Sequence, residues 1–424
     1  MDAPSRTLWV GFDWADEEHQ VCVVDGDGRK VAAFAVPHQA KALNDLPARL
    51  RSLGDVAGVA IETPRHLVAR KLLAEGFAVY PINPDVSHGW CEALSTAGAT
   101  SDPSQAFALA DGLRHHHARL RRLAPDDGET RKLALLCETE EDLINQRTAF
   151  VNELQACLKE YYPAVFEWFD DWTSPSAWDF AVAFPTPGAL ATAPKKRLYG
   201  FLKGHRLKLS PKWQGRVERR GEAADWPRDL TAEAAMPLRV KALVAMLRTL
   251  KKQLDDLHRQ IKAAFAEHRD GALFASLPRG GEKLAVRLLV HFGSERDRYE
   301  SARSVERLAG CVPVTKQSGK TKRISFRRAC QKPFRNTVHQ YALASLQGSE
   351  WARACYDMLR ERGQSNARAL RAVGGRWIHI IYRMWMSGTT YNEGIYMASL
   401  VRHGSPIIDW MRSQEKLAES QKTP

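Results

Sequence analysis

Two short apolar runs, Leu8–Phe12 and Val56–Ile61, each run into a carboxylate, Asp13 and Glu62. Uninterrupted apolar segments of this length read as strands buried on both faces. Gln20–Asp25 reads as a further strand, Asp25-Gly26-Asp27-Gly28 supplies turn chemistry, and Lys30–Val36 resumes as a third. Residues 39–53 read as a helix with Leu43, Leu46 and Leu50 on one face. Pro64 is placed to open another helix, through about Glu75, and Phe77–Ile82 is a fifth strand broken by Asn83-Pro84. Ser101 then caps a helix from Asp102 to about His117. Strand-strand-strand-helix-strand-helix-strand-helix over residues 1–125 is an α/β order with a mixed sheet.

That order gives the acids a meaning. Asp13 and Glu62 stand at the C-terminal ends of two strands, and a neighbouring parallel pair would bring them together. Asp102 lies in the first turn of a packing helix, and position 105 falls on the same helical face. Carboxylates so placed can converge on a divalent cation, which offsets their repulsion. Position 105 is Gln105, which keeps the length of an acid and brings no charge. Singly, each acid has a plainer explanation, as a turn residue or as helix-terminal charge. Asp111 is too far along the helix to replace residue 105. His115, His116 and His117 are adjacent on one helix and point different ways, which favours a helix-end or nucleic-acid contact over a metal tract.

The 424-residue chain carries a formal charge of +13, which favours polyanionic partners. Its seven cysteines form no close pair of the zinc type. No secretory signal opens it, and the apolar stretch around Trp377–Trp385 contains His379 and Arg383, so no membrane span is expected and the cytoplasm is favoured. A middle region, 126–270, holds a long helical pattern over 129–160. A second pattern runs Leu243, Leu247, Leu250, Leu254, Leu257, Ile261 and Ala264, a sustained heptad. The two helices read either as an intramolecular antiparallel arm or as a surface for a second subunit. Between them, Pro185, Pro187 and Gly188 argue for irregular chain. Lys195–Arg220 follows with ten Lys or Arg against Glu218 alone. Its cations Lys195, Lys196, Arg197, Lys203, Arg206, Lys208 and Lys212 are candidate phosphate contacts, and Tyr199, Phe201 and Trp213 candidate base-stacking rings. The alternative is a solvated basic insertion.

The last region, 271–424, reads as mainly helical. Pro278-Arg279-Gly280-Gly281 joins two helices, and Ser301–Gly310 is a short third. A basic loop then holds Ser318 among Lys316, Lys320, Lys322, Arg323, Arg327 and Arg328, with no acid between Lys316 and Arg335. Gly319 would let backbone approach a phosphate closely. No histidine or aspartate nearby in sequence activates Ser318, so the residues alone favour a plain loop serine. A closing helix carries Leu370, Val373, Trp377, Ile381 and Trp385 on one face, and the chain after about Arg402 reads as peripheral.

Taken together, WVGFDWADEEH, VAIETPRH, YPINPDVSHGW, ATSDPSQAFALADGLR, AGCVPVTKQSG and NARALRAVGGRWIHIIYRMW resemble the motifs of DEDD insertion-sequence transposases, relatives of pilin-gene DNA invertases and of bridge-RNA-guided recombinases. The resemblance covers nearly the whole chain. It implies a RuvC-like, ribonuclease-H-type domain over 1–125, a helical coiled-coil arm with a basic insertion over 126–270, and a mainly helical serine transposase domain over 271–424. It implies Asp13, Glu62 and Asp102 as ligands for Mg2+ or Mn2+ and Ser318 as nucleophile, in a composite site. It further implies donor and target DNA, a structured noncoding guide RNA, and dimers that pair into a tetramer. Two positions depart from the pattern. Gln105 replaces the fourth acid, and Gly98-Ala99-Thr100 replaces the basic residue before the third motif. They leave two rival expectations: a catalytically weakened RNA- and DNA-binding relative, or a metal-dependent nuclease or resolvase that uses water.

Overall fold

The computed structural model describes residues 7–62, 67–94, 101–319 and 321–420, and its contacts divide the chain into two units, Met1–Pro125 and Asp126–Pro424. Pro64, Gly98, Ala99, Thr100, Lys320 and the Lys316 side chain lie outside the described residues.

The first unit is built on a five-stranded sheet. Its strands are β1 (Thr7–Asp13), β2 (Glu18–Val24), β3 (Lys30–Pro37), β4 (Asp55–Ile61) and β5 (Val79–Pro81), in spatial order β3-β2-β1-β4-β5. The first three form an antiparallel meander, while β1 pairs parallel to β4 and β4 parallel to β5. Leu8, Val10 and Phe12 point to one face, onto helix α1 (Ala40–Leu53) through Leu46 and Leu50 and onto α2 (Leu67–Ala74) through Val68 and Leu72. The alternate residues Trp9, Cys22, Val24 and Ala60 point to the other face. Strand periodicity thus gives a three-layer unit with both sheet faces covered. A helix absent from the sequence reading, α3 (Pro84–Leu94), follows β5. Asn83-Pro84 breaks the strand and also starts this helix, because the Asp85 N–H donates to Asn83 Oδ1 at 2.9 Å and proline occupies the first turn.

Helix α4 (Asp102–His116) begins as its sequence predicts, with the Ser101 N–H donating to Ser104 Oγ at 2.8 Å. It lies on the second face through Ala106, Leu109, Ala110 and Leu113. It sits unusually close to β1. A Cβ built on Gly11 would stand 2.0 Å from the Ala106 carbonyl oxygen and 2.6 Å from the Ala110 nitrogen. On its outer side Gly112 accepts the Trp90 ring, which a Cβ would meet at 2.2 Å. The histidines end this helix as packing groups. The His116 ring stacks on Trp90 at 5.5 Å, His117 lies 4.4 Å from Trp9, and His115 sits beside Asp111.

The second unit hangs on two long helices, α5 (Gly128–Tyr161) and, after the four helices of the insertion, α10 (Leu230–Glu267). Thr130 meets His268, Glu153 meets Arg239, and Cys157 meets Met236, so they run antiparallel. Leu243, Leu247, Leu254, Leu257 and Ile261 of the heptad are buried within this chain. The segment between the helices is a compact bundle. A short 3-10 turn (Pro163–Glu167) leads to α6 (Pro175–Ala183), α7 (Pro187–Ala191), α8 (Lys195–Gly204) and α9 (Pro211–Glu218). Trp168, Trp172, Trp178, Phe180 and Phe184 fill its core against Leu154, Leu158, Val244 and Leu247 of the arm. The expected irregularity around Pro187 is corrected: that proline opens α7, with Thr186 Oγ1 accepting from the Ala189 N–H.

A separate core lies at the arm's other end. It comprises α11 (Gly271–Ala275), α12 (Gly281–Phe292), α13 (Ala302–Leu308), α14 (Lys332–Ser345), α15 (Glu350–Glu361), α16 (Asn366–Ser387), α17 (Glu393–Arg402) and α18 (Pro406–Ser420). Leu370, Val373, Trp377, Ile381 and Trp385 of α16 are all buried there, as their spacing predicts. The chain after Arg402 is less peripheral than expected, since Ile407 and Ile408 enter this core. Among the described residues no helix is long and apolar enough to cross a membrane.

The contact at Gly11 yields a direct test. Backbone atoms meet the added methyl, so no side chain can rotate away to relieve it. Gly11→Ala is expected to destabilise the protein by about 2–3 kcal/mol in urea unfolding, within the range for forced core overpacking. Gly89→Ala in α3, where an added Cβ meets nothing within 4 Å, should instead be neutral or stabilise by up to about 1 kcal/mol.

Candidate active site

The parallel pairing of β1 with β4 sets Phe12 opposite Ile61, so Asp13 and Glu62 leave the same sheet edge side by side. Asp13 is only 7% exposed, and Glu62 is half-buried. Ser87 of α3 donates its hydroxyl to Glu62 Oε1, a contact the sequence reading did not anticipate. Asp102 is exposed at the first position of α4, and Gln105 is half-buried one turn further on. The close seat of α4 on Gly11 carries this helix start to the acidic edge.

The Asp13 carboxyl senses both other acids. Burial, then the negative charges of Glu62 and Asp102, push the Asp13 carboxyl up from its ordinary range to about 6. The buried Cys91 thiol is raised by burial and then by Glu62 and Asp13; its Sγ lies 4.0 Å from the Ser104 carbonyl. A thiol so surrounded stays protonated and unreactive. Among the described residues no three His, Cys, Asp or Glu side chains form a group able to hold a metal ion by themselves. The acids that could converge on a cation thus form an open edge rather than a ready-made group of three. Hard oxygen donors with uncompensated charge still fit a small divalent cation, which characteristically takes one or two carboxylates and completes its shell with water and phosphate oxygens.

Ser318 belongs to the second unit. The expected basic loop is a hairpin of β6 (Val314–Ser318) and β7 (Thr321–Ser325). Ser318 ends β6, pairs with Thr321 and is exposed; Gly319 takes φ 55° in the turn. Strand alternation sets Ser318, Thr321 and Arg323 on one face, with Lys322 on the other. Lys322, Arg323 and Arg328 are exposed, whereas Arg327 donates to the Val312 carbonyl at 3.2 Å and anchors the base of the hairpin.

The basic insertion is a folded part of the bundle. Phe201 packs on Phe180 and Phe184, and Trp213 on Trp168 and Phe169, so both rings are half-buried against the bundle core. Lys195 pairs with Glu218, Lys212 with Asp170, and Arg197 donates to the Ala183 carbonyl. Lys196, Lys203, Arg206 and Lys208 remain exposed, with no ion pair among the described residues.

Asp13 carries a pH signature. Its folded pKa lies above the unfolded value, so between about pH 4 and 6 the folded state holds a proton that the unfolded chain has lost. Stability therefore falls as pH rises through that window. Asp13→Asn removes the penalty: in chelator it is expected to gain roughly 1–3 kcal/mol at pH 8, from about 1.4 kcal/mol per pKa unit. The gain should shrink towards zero near pH 4. A denaturant series across pH checks this, and a constant difference would show that Asp13 is not under this repulsion.

Comparison with known proteins finds relatives for this chain. The DEDD-type IS110 family model, described as a transposase, matches residues 10–163, and the IS116/IS110/IS902 transposase family model matches 271–357. The putative transposase of the IS117 mini-circle of Streptomyces coelicolor is 29% identical over 409 residues, spanning 94% of this chain and 98% of its own. The uncharacterized 42 kDa protein of insertion element IS900 from Mycobacterium paratuberculosis is 23% identical over 93% of this chain and 100% of its own. Putative transposase y4uE of Sinorhizobium fredii is 32% identical over 208 residues, covering 48% of this chain and 58% of its own. Two models for this family, on residues 10–163 and 271–357, and a relative aligned almost end to end lead to one conclusion: this chain belongs to the IS110 family of transposases.

Proposed function

We propose that this transposase is a DNA recombinase that cuts and rejoins strands through a covalent link to Ser318. The reading rests first on the shared edge of Asp13 and Glu62, where Asp102 adds to the repulsion that lifts the Asp13 pKa. Asp13, Glu62 and Asp102, in a RuvC-like domain over 1–125, would hold Mg2+ or Mn2+. Such an ion offsets phosphate charge and favours deprotonation of a hydroxyl. The remaining steps belong to the chain. Ser318 Oγ loses its proton and forms a bond to phosphorus, one phosphodiester P–O bond breaks, and the leaving sugar hydroxyl takes up a proton. Attack by a sugar hydroxyl of the incoming strand then releases Ser318. Arg323, on the serine's face of the hairpin, is placed to meet a phosphate oxygen.

Sequence choice falls, in this reading, to a structured noncoding RNA bound in part by the exposed cations of the insertion, with donor and target DNA brought together by dimers that pair into a tetramer. The protein then works in the cytoplasm, at the nucleoid. A second reading is favoured by Gln105: one charge short at the acidic edge, the chain is a weakened family member that binds RNA and DNA for assembly.

Two experiments decide. In matched recombination assays with denaturing detection of protein-linked DNA, Gln105→Asp is expected to raise metal-dependent strand exchange, and Ser318→Ala to abolish the adduct in either background. An adduct that survives Ser318→Ala removes this serine as nucleophile. Absence of an adduct from both the wild type and the Gln105→Asp variant favours the second reading. For RNA, reversing charge at Lys196, Lys203, Arg206 and Lys208 should weaken binding and flatten its salt dependence by about 0.7 per lost phosphate contact on single strands. Unchanged affinity and slope would place the RNA elsewhere.

A further inference from the structure

The insertion bundle contains a cavity of about 580 Å³ between the Pro163–Glu167 turn and α9. Its size lies within the range of small-molecule sites, roughly 300–1,000 Å³, and is far larger than a lone phosphate requires. Ala164, Trp168 and Ala223 give it an apolar lining. Gly215 also lines it, and a Cβ there would meet nothing within 4 Å, so this stretch of α9 leaves the space open.

The charges around it do not balance. Lys212, Arg216, Arg219 and Arg220 line the cavity, against the carboxylates of Glu167 and Glu218. Glu218 is committed to Lys195, and Lys212 to Asp170. The Arg216 guanidinium is nearly buried: it donates to the Trp168 carbonyl at 2.6 Å, lies over Trp213 at 4.8 Å, and is 4.0 Å from Asp170. Arg220 donates to the Ala193 carbonyl at 2.8 Å and the Val217 carbonyl at 3.2 Å. Two guanidinium planes are thus fixed in place by backbone carbonyls. The Arg219 side chain has no hydrogen-bond or ion-pair partner among the described residues and is exposed. Burial, together with the charge of Arg219, holds the Arg216 pKa below its usual value, partly countered by Asp170 and Glu167. Cations with too few anions, around an apolar floor with one uncommitted carboxylate, match a phosphate joined to a flat polar ring. Arginine suits the phosphate because its fork donates two parallel hydrogen bonds. Glu167 can accept from a base amino group.

We infer that this cavity receives one unstacked nucleotide of a single-stranded nucleic acid, its phosphate on Arg219 and its base held over the Trp168 floor. The bundle would then hold a single strand at a fixed point while the outer lysines track its backbone. The proposal deepens the nucleic-acid reading of the insertion and is independent of the chemistry at Ser318.

The test uses the full-length protein and a short single-stranded oligonucleotide carrying one fluorescent base analogue, in RNA and DNA versions. Wild-type protein should bind it and brighten the analogue as it leaves its stacked neighbours, and a fully paired duplex should compete poorly. Gly215→Leu, which fills the cavity, and Arg219→Ala, at its exposed rim, should each weaken binding about tenfold, a loss of about 1.4 kcal/mol, and suppress the brightening. Circular dichroism and thermal melting establish that each variant is folded; if Gly215→Leu is not, Arg219→Ala carries the test. Preference for the RNA or the DNA version assigns the source of the strand, and either supports the cavity. Wild-type affinity and brightening in both folded variants would overturn the proposal. So would inorganic triphosphate displacing the oligonucleotide from wild type and not from Gly215→Leu, which would reduce the cavity to an anion site. The readout is binding alone, so it stands whatever becomes of the serine adduct.

Discussion

The approach of α4 to β1 at Gly11 is the contact on which the acidic edge depends. Helix and strand normally keep a side-chain layer between them; here the Ala106 carbonyl stands where a methyl would be. The helix is pinned from both sides, by the missing Cβ of Gly11 beneath and by the Trp90 ring seated on Gly112 above. Two small residues on α4, Ala106 and Ala110, complete the fit. The helix start, with Asp102 and Gln105, is thereby fixed relative to Asp13 by steric exclusion, which distance alone governs and salt does not screen. An acidic site needs such a frame, because its own charges push it apart.

Ser87 and Cys91 belong to the same logic. Both lie on α3, which joins β5 to the segment before α4. Ser87 gives Glu62 a hydrogen bond, while burial, then the charges of Glu62 and Asp102, raise the Asp13 pKa.

How much of this could be read from the chain follows from length and periodicity. The apolar runs ending at Asp13 and Glu62 specified two buried strands, while their side-by-side parallel pairing, left open by the sequence, is set in the sheet. Ser101 marked the start of α4, and the heptad leucines marked α10. Three features escaped. Helix α3 hid behind Asn83-Pro84, which breaks a strand and caps a helix with the same residues. The insertion read as basic and irregular because α6 to α9 are 5 to 10 residues long, too short to show a helical period, and because rings such as Phe201 and Trp213 look the same in sequence whether they face solvent or a core. The β6–β7 hairpin is exposed on both faces, so it lacks the apolar alternation that announces a strand. Its only local mark was Ser318-Gly319 at the turn.

The helix pair α5 and α10 has an architectural consequence. Cys157 lies against Met236 and Glu153 against Arg239, so the chain leaves the arm for the bundle and returns to it at nearly the same place. The two family models cover residues 10–163 and 271–357, so the stretch between them takes in the bundle and α10. A module grafted onto neighbouring ends of a helical stalk can grow, shrink or be exchanged while the stalk's register and the core at its base stay put. The stalk thereby acts as a socket: the tip can be replaced without disturbing the core at the root.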